Sequence, residues 1–501
     1  MFQTFIKLTL NIKTPNFSIA SSYQLTMAAT TTQTEEHVSL KLLLSEKGDK
    51  VLFAEAGKDF VDVLCSFLTM PLGTIARLVE KESSIGPVTV GCLNSLYRSV
   101  VDLDEDCMSS HTIKQMLLKP TNFAEDYCNT LELNIEDTPP SKYFMCNNYK
   151  SSYCTHDFAS SMNKDIKNCY CGCSISFLVF PEQFDQGFVN DVATFVITDD
   201  LIIMPNSIDY ASFGLLQEFG IENTSSVKEM ILKVTIEKVL DLLKCSLLSK
   251  STLTDFFLGK KPSLEVSRFF SYDVEIGGNI QINLKLVIRK SDGKILCAQG
   301  EQDFADLLLS FLTIPLGGIS RILGEKIYLG SINRFYKSIA DLNENKYFIS
   351  EDAKNRIVDP CIFPLLKLSK QIFPILERRV HEYYWYYSGS SLFVQFSKPG
   401  EDKSYAGKFK RINFSNMASH EGYVKGPAMY VATDDLAIAP LSPISALGLL
   451  NRLKTPLKDL KEKHVTIGVK ESLNILKAAL TSTSALTNGL AHLLTEVKEE
   501  K

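Results

Sequence analysis

Ser66-Phe67-Leu68-Thr69-Met70-Pro71-Leu72-Gly73 returns almost letter for letter as Ser310-Phe311-Leu312-Thr313-Ile314-Pro315-Leu316-Gly317. Ahead of the first copy, Phe60, Val63, Leu64, Phe67 and Leu68 fall at i, i+3, i+4, i+7 and i+8, one face of a helix. Phe304, Leu307, Leu308, Phe311 and Leu312 repeat that face. Pro71 cannot continue the helix, because it lacks an N–H and its ring clashes with the preceding turn. It can open a second one, and Thr74-Ile75-Ala76-Arg77-Leu78-Val79 fits. The pattern predicts a helix–helix corner packed on the preceding hairpin, in preference to a ligand loop.

Working outward, the same order of blocks stands in both halves. Lys41-Leu42-Leu43-Leu44, the cluster Glu46-Lys47-Gly48-Asp49 and Lys50-Val51-Leu52-Phe53-Ala54 read as a β-hairpin. In the second half the strands flank Ser291-Asp292-Gly293, a stronger turn signal. Asn94-Ser95-Leu96-Tyr97-Arg98-Ser99-Val100-Val101-Asp102-Leu103 matches Asn333-Arg334-Phe335-Tyr336-Lys337-Ser338-Ile339-Ala340-Asp341-Leu342, a short helix. Phe195 to Pro205 matches Tyr430 to Pro440 around Thr-Asp-Asp-Leu. A long helix then closes each half, striped by Val239, Leu242, Leu243 and Leu247, or by Ile475, Leu476 and Leu480. Each is expected to end in a Leu-Thr pair, Leu253-Thr254 and Leu486-Thr487.

Duplication is the economical account, and two copies this long are not a solenoid. The expected fold is α+β: two homologous repeats, each a β-hairpin plus helices, further strands and a long closing helix. The join falls near Lys260-Lys261-Pro262, dividing the chain into domains at residues 35–262 and 263–501.

At 45% hydrophobic and 22% charged, the 501 residues have the composition of an ordinary globular protein with room for two or three cores. A net charge of -5 provides no positive field for nucleic acid or anionic lipid. No apolar run approaches the roughly 18–20 residues of a spanning helix. Twelve cysteines and no secretory signal imply a reducing compartment, the cytoplasm first and the nucleus second. Residues 1–34 lack Asp and Glu as organelle transit peptides do, but they also lack Arg. They read as a disordered extension, or as sequence upstream of a start at Met27, and less well as a targeting signal.

The halves differ between the third and fourth blocks. At about residues 141–180 the first half carries Cys146, Cys154, Cys169, Cys171 and Cys173 among Asn, Ser, Lys and Asp. Such polar, loop-like sequence cannot build an apolar core. A structural Zn²⁺ held by four thiolates would order it, making a zinc-ribbon-like insert. Cys146 and Cys154 are spaced widely, while Cys169-Tyr170-Cys171-Gly172-Cys173 is tight, with a glycine suited to a knuckle. Ordinary reduced thiols are the second reading and a redox switch the third. His156 is a substitute ligand or simply a solvated side chain. The second half has Tyr383-Tyr384-Trp385-Tyr386-Tyr387 there instead, either buried packing or an exposed recognition surface.

Catalytic chemistry finds little. Asp199-Asp200 and Asp434-Asp435 could divide acid and base roles or hold Mg²⁺, but between apolar runs they read better as turns or strand ends. No P-loop, GxGxxG, HExxH or GxSxG stands in context, and the 7 His are scattered. No catalytic or cofactor-binding residue is assigned, and a zinc with an open coordination position finds no suitably spaced ligands.

The opening from Leu40 to Gly73, the Asn94 to Leu103 block, the Cys-x-Cys-Gly insert, the Thr-Asp-Asp-Leu block and the closing helix together resemble the plant family called domain of unknown function 674. The resemblance covers nearly everything after Met27. It implies a land-plant protein with no assigned activity, and it places the metal-like cysteines on Cys146, Cys154, Cys169 and Cys171, with Cys173 as an extra or alternative. The expected role is a binding or protein-interaction scaffold with an unnamed protein partner. The alternative is a hydrolase-like or metal-dependent enzyme with its site between the repeats, using the Asp pairs. Nucleic acid is disfavoured by the acidic charge.

Overall fold

The computed structural model describes residues 36–148, 158–160, 168–206, 214–262, 281–363, 384–388, 391–395, 410–411 and 422–495, a few single positions and short gaps within these apart, plus 366 and 368. The N-terminal extension, Cys154, His156 and Tyr383 lie outside the described residues.

Shorter helical turns aside, the first half runs β1 (Val38–Ser45), β2 (Val51–Ala56), α1 (Lys58–Thr69), α2 (Leu72–Val79), α3 (Leu93–Asp102), α4 (His111–Leu118), β3 (Tyr143–Cys146), β4 (Phe158–Ser160), β5 (Ile175–Pro181), β6 (Phe195–Thr198), β7 (Ile203–Pro205), β8 (Val227–Val234), α5 (Ile236–Leu248) and α6 (Thr252–Leu258). The second half runs β9 (Ile282–Arg289), β10 (Ile295–Gly300), α7 (Gln302–Ser310), α8 (Leu316–Leu323), α9 (Ile332–Asp341), α10 (Glu351–Val358), β11 (Tyr384–Ser388), β12 (Ser391–Gln395), β13 (Lys410–Arg411), β14 (Tyr430–Thr433), β15 (Ile438–Pro440), a ten-residue helix (Pro443–Arg452), β16 (Leu460–Ile467), α11 (Val469–Thr481) and α12 (Ala485–Gly489).

Each half builds one antiparallel five-stranded sheet. Their orders are β7-β6-β2-β1-β8 and β15-β14-β10-β9-β16, the same path through the same blocks. The hairpins form where the turn signals stood, with Gly48 and Gly293 at φ 70 and 73, a conformation that favours glycine. A third sheet runs β13-β11-β12-β5-β3-β4, and its parallel β12–β5 pair joins strands of both halves.

The corner at Pro71 does form, with Pro71 capping α2 and Pro315 capping α8. Its first helix packs on both strands of the hairpin, as expected, and the corner also meets a second surface. Pro71 and Pro315 face each other in an antiparallel bridge, with Leu72 N–H donating to Ile314 O and Leu316 N–H donating to Met70 O, both at 2.9 Å. The repeated motif therefore meets its own copy. This explains why α1 is buried on every side, Asp62, Ser66 and Thr69 included, although its sequence shows one apolar stripe. Asp62 accepts the N–H groups of Phe188 and Val189, and the two hydroxyls are satisfied locally. Ser66 Oγ donates to Val63 O and Thr69 Oγ1 to Ser66 O, as Ser310 and Thr313 do in the second copy.

Further contacts cross reciprocally. Cys92 N–H donates to Ala479 O at 2.7 Å and Ser331 N–H to Ser246 O at 2.9 Å. Ile203 N–H reaches Ser338 Oγ at 3.1 Å and Ile438 N–H reaches Ser99 Oγ at 2.8 Å. Each half thus lays its third-block helix on the other half's sheet edge and closing helix. One apolar cluster holds Phe60, Phe67 and Leu68 together with Phe304, Phe311 and Leu312, and the chain after residue 35 clusters as one compact unit. Each such side chain contributes about 2–3 kcal/mol on leaving water, so the shared cluster stabilises the joined pair of halves.

Two finer expectations are corrected. The Leu-Thr pairs do not end the closing helices; α5 and α11 stop at Leu248 and Thr481, and the pairs sit on the following helices α6 and α12. The insert is also not loop throughout. β3 pairs with β5, and Tyr143, Met145 and Val179 are buried in the main cluster. Short apolar runs within Tyr143–Cys146 and Ile175–Pro181 supply what the surrounding polar sequence lacks.

Candidate metal centre

The end of β3 and the turn entering β5 bring thiols together. Where β3 ends at Cys146, the β3–β5 register shifts between Met145 and Cys146, turning that side chain out of the ladder. Across from it, Asn168 and Ser174 form an isolated bridge that closes the Cys169–Cys173 loop. Inside the loop Cys169 N–H donates to Cys173 O and Gly172 N–H donates to Cys169 O, both at 2.8 Å. Gly172 sits at φ 81, which a residue with a Cβ adopts only under strain. The glycine thus lets the chain fold back within five residues, the knuckle that the sequence suggested. Asn147 braces the loop: its N–H donates to Ser174 O at 2.9 Å and its side chain bonds Ser174 Oγ and Ser176 Oγ.

The sulfur atoms of Cys146, Cys169 and Cys171 all lie within 4.8 Å of one another, and Cys146 Sγ is 3.4 Å from Cys171 Sγ. Tetrahedral Zn–S bonds of about 2.3 Å set sulfur atoms about 3.8 Å apart, so the separations match a shared ion. None of the three is in a disulfide. Asn148 N–H points at Cys146 Sγ at 3.4 Å. Chiefly through the backbone N–H of Cys173, and then through the neighbouring thiols, the Cys171 thiol is pulled down to about 7. Donors aimed at sulfur favour the thiolate that a metal binds. Cys173 packs in the same cluster with Ile175, but its thiol is pushed up, first through its bond with Cys171. Cys146 and Cys169 are buried and Cys171 half-buried, so the group is screened from one side only.

Of the named ligands, the structure brings together Cys146, Cys169 and Cys171, with Cys173 beside them. Cys154 falls outside the described residues. Trp385 lies on β11, within described backbone whose side chains are not described.

The Asp pairs occupy turns between β6 and β7 and between β14 and β15, each followed by a leucine at φ 63, Leu201 and Leu436. Asp199 is spent on structure: Thr254 N–H reaches one oxygen at 2.8 Å and Thr254 Oγ1 the other at 2.9 Å. Asp434 likewise accepts Thr487 N–H at 2.7 Å. Burial pushes both carboxyls above the ordinary range. Two motifs noticed separately, Thr-Asp-Asp-Leu and Leu-Thr, are thus halves of one tie. Asp200 and Asp435 instead face the other half, accepting from Arg334 and from Ser95 Oγ respectively.

Sequence reading missed a buried charged group across the seam. Arg356 donates to Phe123 O at 2.6 Å and pairs with Asp352 at 3.2 Å and Asp126 at 3.8 Å. Its guanidinium also stacks over Phe123, 4.2 Å from the ring centroid. The available signal was a mismatch between copies, since Met116 stands at the matching place in the first.

Among known proteins, the family model described as Protein of unknown function (DUF674) matches residues 34–470. No curated protein and no solved structure matches the chain. Among the described residues, no helix is long and apolar enough to cross a membrane.

Proposed function

The chain belongs to the DUF674 family, and from that premise we propose that it is a non-enzymatic binding or protein-interaction scaffold carrying a structural zinc ion. The observation that carries the zinc is the convergence of Cys146, Cys169 and Cys171 within 4.8 Å on a glycine-turned loop. Cys154 or Cys173 completes the tetrahedron. The metal ties the β3 end to the loop before β5, so its binding energy acts as folding energy for residues that bury little apolar surface. The third sheet, to which both halves contribute strands, is the element this ion would fix.

The scaffold is read as two homologous repeats, at residues 35–262 and 263–501, with the ribbon-like insert at about 141–180. The shared strand order and the reciprocal seam support this reading. The free thiols among the described residues agree with a reducing compartment, the cytoplasm. An enzymatic role for Asp199 and Asp434 draws no support from their geometry, because Thr254 takes both oxygens of the first, while Thr487 N–H takes one oxygen of the second and Lys294 stands 3.4 Å from the other.

Metal analysis of the full chain, purified under reducing, chelator-free conditions, tests the reading. About one zinc per chain is expected. Cys169→Ser should release it, and of Cys154→Ser and Cys173→Ser only one should do so. A metal-free preparation would remove the site.

A further inference from the structure

A cavity of about 720 Å³ opens between the halves, within the range that holds small organic ligands. Its cationic lining comes from Lys250 of the first half and Arg334 and Lys337 on the first two turns of α9. Tyr328 stands at the wall, 65% exposed, with the Lys250 ammonium 5.9 Å from its ring centroid. Asp200 and Asp341 also line the space. Asp200 is engaged by Arg334 and, at 2.5 Å, by Thr198 Oγ1, so it holds the guanidinium at the wall.

We propose that this cavity binds a small aromatic phosphate, its ring on Tyr328 and its phosphate among Lys250, Arg334 and Lys337. An exposed ring beside converging cations offers a stacking face and charge-assisted donors together. The first turn of α9 adds its positive dipole end on the same side.

The corresponding place in the other half shows that the fold does not require these residues. There a cavity of about 610 Å³ is lined by Thr89 where Tyr328 stands, Arg98 where Lys337 stands and Thr483 where Lys250 stands, with Lys261 as its second cation; Ser95 takes the place of Arg334. Glu80, 3.0 Å from Arg98, further reduces its positive character. The backbone contacts around the two cavities are alike. Gly91 and Gly330 share φ 52, and the following N–H groups make the reciprocal bonds to Ala479 O and Ser246 O. Of two frames with like backbone contacts, only one sets an exposed ring beside three cations, and that difference points to a ligand and not to packing.

Isothermal titration of the full chain with AMP, pyridoxal phosphate and 4-nitrophenyl phosphate tests this, with adenosine and inorganic phosphate as controls. At least one aromatic phosphate should saturate at one per chain and bind about tenfold or more tighter than either control. Lys250→Thr and Tyr328→Thr, which copy the other half, should each weaken it by about tenfold or more, with the melting temperature of the free protein unchanged. Failure of all three probes, binding as tight to inorganic phosphate alone, or undiminished binding by well-folded variants would overturn the proposal. Cys169→Ser should leave this binding intact, which keeps the result separate from that of the metal centre.

Discussion

The two halves agree where backbone groups are engaged, and their clearest divergences fall where only side chains meet. Pro71 and Pro315, Gly91 and Gly330, Asp62 and Asp306, and Leu201 and Leu436 do the same work at the same places. Asp62 takes the N–H groups of Phe188 and Val189 at 2.9 Å, and Asp306 those of Tyr423 and Val424 at 2.7 and 3.1 Å. By contrast Met116 faces Arg356 across the alignment, Asp126 faces Leu366, Thr89 faces Tyr328, and only the first half holds three close thiols. A backbone hydrogen bond or a glycine under a carbonyl tolerates little exchange. A buried side chain can be replaced whenever its neighbours change with it. The joined halves therefore leave each free to diverge: the first holds the close thiols, and the second supplies Tyr328, Arg334 and Lys337 to a cavity that Lys250 of the first completes.

The strongest test of this comparison copies one half onto the other. Arg356→Met, which installs the residue of Met116, leaves Asp126 and Asp352 without their cation and should cost about 4 kcal/mol in urea unfolding. Adding Asp126→Leu, the counterpart of Leu366, should recover most of that loss. No recovery would mean that the pair is not exchangeable for apolar packing. Because the core is shared, both variants should move a single transition.

Gly330→Ala probes the backbone seam. Its Cβ would stand 2.2 Å from Ser246 O at φ 52, so a loss of about 3 kcal/mol is expected from the conformation and the clash together. Gly293→Ala, at φ 73 with open space around it, should cost about 1 kcal/mol. Equal losses would erase the distinction between seam and surface turn.

Glu125 gives a pH test. Burial pushes its carboxyl to about 7, against bonds from Tyr143 and Ser141 that pull it down, and among the described residues no glutamate of the second half is buried. Folding raises the value, so between about pH 4.5 and 7 the folded chain keeps a proton that the unfolded chain has lost. The stability that Glu125 itself contributes should therefore be lost as pH rises through that window, on the order of 3 kcal/mol, on top of the losses from Asp62, Asp126, Glu136 and Asp306, which burial also pushes up. Glu125→Gln should flatten the wild-type profile by this amount. Parallel profiles would refute the assignment.

The smallest contrast concerns the ties at the Asp turns. Thr254 Oγ1 both donates to Asp199 and accepts Val51 N–H, each at 2.9 Å, whereas Thr487 Oγ1 accepts Ile295 N–H at 3.0 Å, lies 3.5 Å from Ile295 O and touches Asp434 more weakly than the backbone N–H of Thr487 does. Thr254→Val should cost about 2 kcal/mol and Thr487→Val about 1. The reverse order would show that the two ties are not built alike.

Much of this was open to reading before any coordinates. The i, i+3, i+4 stripe of α1, the Asp-Gly turn before β10, the break at Pro71 and the glycine between Cys171 and Cys173 each follow from local stereochemistry. The thiols could be picked out because five cysteines in polar sequence have few other uses. Hidden from view were Arg356 against Asp126, the tie from Asp199 to Thr254, and the meeting of Lys250 with Arg334. Each joins residues more than fifty positions apart, and no periodicity reports on such pairs.

On its own, then, the sequence determined the elements, their order and their repetition, because hydrophobic period, proline and glycine act within a few residues. Only the tertiary structure decided that the repeated corner would pack on its own copy and that the halves would exchange contacts into one core. The physical reason is that an apolar stripe specifies that it must be covered, whereas the covering surface is chosen by shape and hydrogen bonding between segments hundreds of residues apart.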